Sequence, residues 1–263
     1  MADTRRLEQV IADAEATGGT VGVAVSASSG WSFSHNGDRR FRAASTVKIP
    51  IMIQIFRQVD AGERHFDDLV TMTASNFSAG SGVLHEMHEG LQVTVADLLY
   101  LMMSISDNTA TNVLIDMAGM DEVNALMREL GMTQSTLGRK MQGHPAEGRQ
   151  QENWATPSEY AALIGNLLDR QVAATESCDA MIAILEKQQN PRRIGRYVPE
   201  DGFRWGSKTG SIRGVVNDAG FITGSGGTVI VSVYCEDLPD MHTGEQVIGD
   251  IARAAMDVAG IVG

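Results

Sequence analysis

Ser45-Thr46-Val47-Lys48 places a hydroxyl and an amine three residues apart, just ahead of the apolar run from Ile49 to Phe56. A serine hydroxyl is a poor nucleophile at neutral pH, so attack on a carbonyl needs a neighbouring group to take its proton. On a helix this spacing puts both side chains on one face. Lys48 can serve as that base once burial and a second cation, for which Lys208 is the candidate, lower its proton affinity. A backbone N–H at a helix start has no intrahelical partner, so the Ser45 N–H, joined by that of Ser211, suits the oxyanion of a tetrahedral intermediate. Lys208, Thr209 and the Ser211 hydroxyl suit a substrate carboxylate. Together these residues describe acyl transfer through a serine ester.

Three short motifs occur in order, Ser45-Thr46-Val47-Lys48, Ser106-Asp107-Asn108 and Lys208-Thr209-Gly210, with 61 and 102 residues between their first members. The first alone arises about once by chance in a chain of this length, whereas the ordered set arises in roughly one chain in several hundred. With these motifs, and with Gly80-Ser81-Gly82-Val83-Leu84 and the run Ser106 to Asn112, the chain resembles the serine β-lactamase and penicillin-binding-protein superfamily, specifically its class A β-lactamase-like serine hydrolases. The resemblance covers nearly the whole chain. It implies Ser45 as nucleophile and Lys48 as base. It also implies that Ser106 passes the proton to the leaving group and that Asn108 hydrogen-bonds a substrate amide. The substrates implied are β-lactam amides, with Lys208, Thr209 and Ser211 facing the carboxylate common to penicillins, cephalosporins and the ends of cell-wall peptides. Two other readings keep the nucleophile: an esterase or D-amino-acid peptidase, and a binder of β-lactams or peptidoglycan fragments that does not turn over. No cofactor is implied.

Class A enzymes carry a loop glutamate, with an asparagine four residues on, that activates the water for deacylation; this E-x-x-x-N pattern is absent here. Aligning Leu137-Gly138-Arg139 and Asn153-Trp154-Ala155-Thr156-Pro157 with the ends of the family loop puts Lys140 or Met141 at the glutamate position. Glu147 and Glu152 are the nearby substitutes, either of which needs a rerouted loop, so the deacylation base stays open and slow release of the acyl group is expected. The stretch after the third motif, Ser211 to Asp218, is short by family standards, and Arg213 is a weak candidate for a carboxylate contact. Pro50 removes a backbone donor and is expected to bend the first turns after Ser45.

The elements that must hold these residues follow from periodicity. Leu7 to Ala16 reads as a helix and Thr20 to Ser26 as a strand turning at Ser29-Gly30 into a second, Trp31 to Ser34. From Thr46 to about Arg170 the pattern is almost wholly helical, with helices over Val95 to Ser104, Asn108 to Met117 and Glu122 to Leu130 and a capping glycine at Gly131. Thr156-Pro157-Ser158-Glu159 reads as a helix start with a capping box, and Cys178 to Gln188 as a further helix. Strands return over Arg204 to Ser211, Val215 to Thr223 and Thr228 to Cys235, before a last helix near Gly244 to Val258. The expected fold class is α+β, an α/β sandwich: an antiparallel sheet from the N- and C-terminal segments (1–44 and 202–263), covered by terminal helices, with an inserted all-helical domain (45–201) and the active site in the cleft between them.

At 263 residues and 43% hydrophobic, the chain has apolar mass for a large core. Its 21 Lys and Arg against 33 Asp and Glu leave a net charge of −12, which argues against nucleic acid and anionic membrane partners and leaves a small-molecule substrate. A monomer is the default. Cys178 and Cys235 lack the paired spacing of a zinc or dithiol site and read as buried. His85 and His88 can share a helix face, yet no third ligand follows, so no metal is expected. The fourteen methionines read as core filler. Arg5 and Arg6 lead into acidic residues, not an apolar leader, so a cytoplasmic location is expected, or a secreted one if a leader was removed.

Overall fold

Val21, Val23 and Val25 alternate with Gly22, Ala24 and Ser26, and Val229, Val231 and Val233 recur at every second position, so each segment has an apolar face to bury. In the computed structural model, which describes residues 3–148 and 150–261, both segments are central strands of one sheet. The chain runs through α1 (Arg5–Glu15), β1 (Thr20–Ala27), β2 (Ser32–His35), β3 (Phe41–Arg42), α2 (Lys48–Asp60), β4 (Leu69–Thr71), β5 (Gln92–Thr94), α3 (Val95–Ser104), α4 (Asn108–Ala118) and α5 (Met120–Glu129). It continues through β6 (Trp154–Ala155), α6 (Pro157–Leu168), α7 (Thr175–Leu185), β7 (Arg204–Ile212), β8 (Val215–Gly224), β9 (Gly227–Glu236) and α8 (Met241–Ala259). The main sheet has the order β2-β1-β9-β8-β7, antiparallel throughout, with Thr20 opposite Glu236 where the first strand meets the last. The α+β class and the sheet shared by both ends of the chain are as the sequence predicts.

Strand alternation divides the sheet's side chains between two cores. On one face, Val21, Val23, Val231, Val233 and Ile222 pack under Leu7 and Ile11 of α1 and Ile248 and Ile251 of α8. On the other, Ala219, Phe221 and Tyr234 join the core built by the helices between β3 and β7. The centre of that core is α2, whose Ile49, Ile51, Met52, Ile53, Ile55 and Phe56 are all buried.

Two local expectations are corrected. Pro50 is the third residue of α2, where a backbone N–H lacks an intrahelical acceptor in any case, and the helix continues unbroken to Asp60. At the start of α6, Thr156 Oγ1 accepts from the Glu159 N–H at 3.3 Å, but the Glu159 carboxylate does not return to close a box. It accepts instead from the backbone of Gln134 and Ser135, both at 2.8 Å, and from the Ser135 hydroxyl at 2.6 Å, tying α6 to the segment after α5. The strands within the helical part are short: β4 pairs with β5, and β3 with β6. Among the described residues, no helix is long and apolar enough to cross a membrane and no group of three His, Cys, Asp or Glu is placed to hold a metal ion.

Candidate active site

Ser45 lies on a 3₁₀ turn, Ala44–Val47, that leads straight into α2. The turn is fixed from below: Thr46 Oγ1 donates to the Ala43 carbonyl at 2.8 Å and accepts from the buried Tyr234 hydroxyl at 3.0 Å. From the side it is met by β7, where a Cβ on Gly210 would stand 3.0 Å from the Ala43 carbonyl and 3.1 Å from the Ser45 nitrogen. Glycine in the third motif is therefore what lets the strand approach the nucleophile's backbone. Ala44 and Ser106 both have positive φ, 47° and 62°, a conformation costing a non-glycine residue about 1–2 kcal/mol.

Lys48 is fully buried, and its Nζ donates to the Ser106 carbonyl at 2.7 Å, the Ser106 hydroxyl at 2.9 Å and Asn108 Oδ1 at 3.1 Å. Burial holds its proton affinity well below that of an ordinary lysine; the charge on Lys208 adds to this, and Asp107 opposes it. Asn108 Nδ2 donates to the Ala79 carbonyl at 3.0 Å. Asp107 caps α4 through the Ala110 N–H at 2.9 Å and takes the N–H groups of Val83 and Leu84 on its other oxygen, at 2.7 and 2.9 Å. The second motif thus holds the loop 78–84 against the site.

Behind β7 lies a buried group of charges. Lys208 donates to the Thr209 carbonyl at 2.9 Å, and burial holds its pKa down to about 7, with Asp218 opposing and Arg193 reinforcing that shift. Burial pushes the Asp218 carboxyl up. Arg193, 1% exposed, donates to the carbonyls of Gly210 and Asn217 at 2.9 and 2.7 Å and to the Ser211 hydroxyl at 2.5 Å, and pairs with Glu245 of α8 at 3.4 Å. It supports the edge of β7 from beneath. Arg213, by contrast, occupies the exposed turn between β7 and β8, beside a separate depression with Val216 and Leu238.

The segment between Leu137 and Trp154 forms the remaining wall. Asn153 Oδ1 accepts from the N–H groups of Gly138 and Arg139 at 2.8 and 2.9 Å, and its carbonyl takes the Ala43 N–H at 2.7 Å, so the neck of the loop is joined to the turn carrying Ser45. Glu152 points inward but is saturated. Its oxygens accept from the N–H groups of Asn153 and Ala146, both at 2.8 Å, and pair with Arg139 at 3.2 and 3.4 Å. The Glu147 side chain is 81% exposed, 3.7 Å from His144 Nδ1. Lys140 turns outward to Asp116 at 2.6 Å, whereas Met141 is buried, with its N–H and carbonyl both held by the Asn112 amide at 2.8 and 2.9 Å.

Ser45 stands where two cavities meet. One is bounded by Asn108, Met141, His144 and Glu152, the other by Ser106, Gln188, Asn190 and Thr209; both also touch Ser81 and Ser211. The family model for the beta-lactamase enzyme family matches residues 4–259. The chain belongs to the beta-lactamase enzyme family. It is 58% identical to a beta-lactamase from Sphaerobacter thermophilus of known structure, which superposes with a TM-score of 0.98 over 99% of this chain and 98% of that one. A PBP-A variant solved as an acyl-enzyme complex with penicillin G is 25% identical, with a TM-score of 0.87 over 97% of this chain and 96% of that one. Beta-lactamase VEB-1 of Pseudomonas aeruginosa is 26% identical over 233 residues, 83% of this chain and 78% of the relative.

Against this β-lactamase fold, Ser45, Lys48, Ser106, Asn108, Thr209 and Ser211 come together around the cleft, with Lys208 just behind Thr209. Glu147 stands in solvent and Glu152 is engaged by its own loop. The sequence reading missed Arg193, which sits in no motif, and the clamp of Asn112 on Met141. The second had a signal, since Asn112 ends the Ser106 to Asn112 run that looks like family sequence.

Proposed function

We propose that this β-lactamase-family serine hydrolase opens β-lactam amides by acylating Ser45 and releases the product slowly. The observation that carries the reading is Lys48: a fully buried amine three residues beyond Ser45, hydrogen-bonded to the Ser106 hydroxyl, whose proton affinity burial and the Lys208 charge hold well below the ordinary lysine value, so that it can take the Ser45 proton. Ser45 Oγ attacks the lactam carbonyl as Lys48 takes its proton. The oxyanion is held by the N–H groups of Ser45 and Ser211, and the proton passes through Ser106 to the ring nitrogen as the C–N bond breaks. Ser211 accepts from Arg193, so its own hydroxyl hydrogen remains for the substrate carboxylate, which Thr209 and the charge of Lys208 also attract.

Slow release follows from the loop wall of the first cavity, where Met141 stands at the loop position, Glu152 is engaged by its own loop and Glu147 stands in solvent. Incubation with penicillin should give one adduct on Ser45 by mass spectrometry, and a chromogenic cephalosporin should give a stoichiometric burst followed by a slow steady state. No adduct with any of several β-lactam classes overturns this substrate class.

A further inference from the structure

Four ionisable side chains line the loop side of the cleft with Ser45: Arg139, Lys140, His144 and Glu152. Three are committed, Arg139 and Glu152 to each other and Lys140 to Asp116. His144 is different. Its Nδ1 lies 2.8 Å from the Pro145 carbonyl, an acceptor only, so Nδ1 carries the proton and the neutral ring presents its lone pair at Nε2. Among the described residues, Nε2 has no hydrogen-bond partner. The Glu147 carboxylate lies 3.7 Å from Nδ1 and suits the same tautomer, with the proton on Nδ1. Arg139 Nη2 donates to the His144 carbonyl at 2.6 Å, fixing the residue's backbone at the mouth of the cavity. The charged groups on this side of the cleft are Glu147, 3.7 Å from Nδ1, Lys140 paired with Asp116, and Arg139 paired with Glu152.

We propose that His144 is the general base that hydrolyses the Ser45 acyl-enzyme. The inference rests on the acylation reading above and adds the group that ends it. Nε2 removes a proton from a water in the loop-side cavity as the water oxygen bonds to the ester carbonyl. The tetrahedral oxyanion then collapses, the bond from the carbonyl carbon to Ser45 Oγ breaks, and the proton taken up by the imidazole is returned to Oγ. One water is consumed, the product leaves as a carboxylic acid that ionises in solvent, and the enzyme is restored. An exposed imidazole is less firmly placed than a buried carboxylate, which fits slow turnover.

The test follows the Ser45–penicillin adduct by mass spectrometry in the wild type, His144→Ala, His144→Gln and Glu147→Gln. The adduct should form in all four, decay in the wild type, persist about 10- to 100-fold longer in both His144 variants, and show an intermediate lifetime in Glu147→Gln. Added imidazole should shorten the lifetime in His144→Ala and leave His144→Gln, whose amide fills the space, little changed. Equal lifetimes in wild type and His144→Ala overturn the proposal, as does a wild-type adduct that never decays, or a lengthened lifetime that imidazole does not shorten. A wild type that forms no adduct overturns the acylation reading instead.

Discussion

Lys48 Nζ donates at once to the carbonyl and the hydroxyl of Ser106, 2.7 and 2.9 Å away, across 58 residues of chain. The pairing requires Ser106 to sit at a φ of 62°, so the turn between α3 and α4 is bent into a conformation that presents both oxygens to one amine. Removing that amine should leave the serine and its surroundings in place and take away the proton acceptor. Lys48→Ala is expected to lower the acylation rate by about 10²- to 10⁴-fold, read by stopped flow with a chromogenic cephalosporin. A loss of less than tenfold would mean another base serves Ser45.

The two buried lysines set opposite limbs of the pH profile. As pH falls, Lys48 takes up a proton and ceases to be a base, so acylation slows on the acid side, well below the ordinary lysine range. As pH rises through about 7, Lys208 loses its charge and its attraction for a substrate carboxylate weakens. The alkaline fall in kcat/KM should therefore appear with a penicillin and vanish with a neutral nitrophenyl ester. The same alkaline limb with both substrates would assign it elsewhere.

Glu152 acts on the loop through four donors, and its partner Arg139 is only 11% exposed. Glu152→Gln should therefore lower stability by about 2–3 kcal/mol, seen as a reduced denaturant midpoint. Were Glu152 the deacylating base, the same variant would instead hold its acyl group for longer with an unchanged midpoint.

Met141 borders the cavity and its backbone is clamped by Asn112, so a carboxylate placed there would face the acyl ester from a fixed position. Met141→Glu is expected to raise the steady-state rate with penicillin about tenfold or more, at some expense in stability from a charge in a buried position. Unchanged release in a folded variant would show that the loop places this side chain away from the reacting water.

The sheet and most helices were legible because alternating valines and 3.6-residue repeats are local signals; β1, β7, β8 and β9 lie within a residue or so of where they were read. Ser45, Lys48 and Ser106 were legible as motif members. What the sequence did not reveal is held by contacts between distant residues. Arg193 reaches the Ser211 hydroxyl and Glu245 from a segment with no periodicity, and Glu159 leaves its own helix cap for Ser135. Glu152 carried the right chemistry for a base, but its role was decided by Arg139 and the N–H groups of Ala146 and Asn153. In the sequence Ser45 presents only as the start of a helix, because the 3₁₀ turn that carries it is fixed by the contact of Thr46 with Tyr234 across 188 residues.

Phe221 and Tyr234 of the sheet share one apolar interior with Ile53 of α2 and Leu163 of α6. The lobes on either side of Ser45 are thus not separate bodies joined by a hinge. Widening the cleft would expose this common interior, so bulky acyl groups must be accommodated by movement of the rim, while heating should melt sheet and helices in one cooperative step.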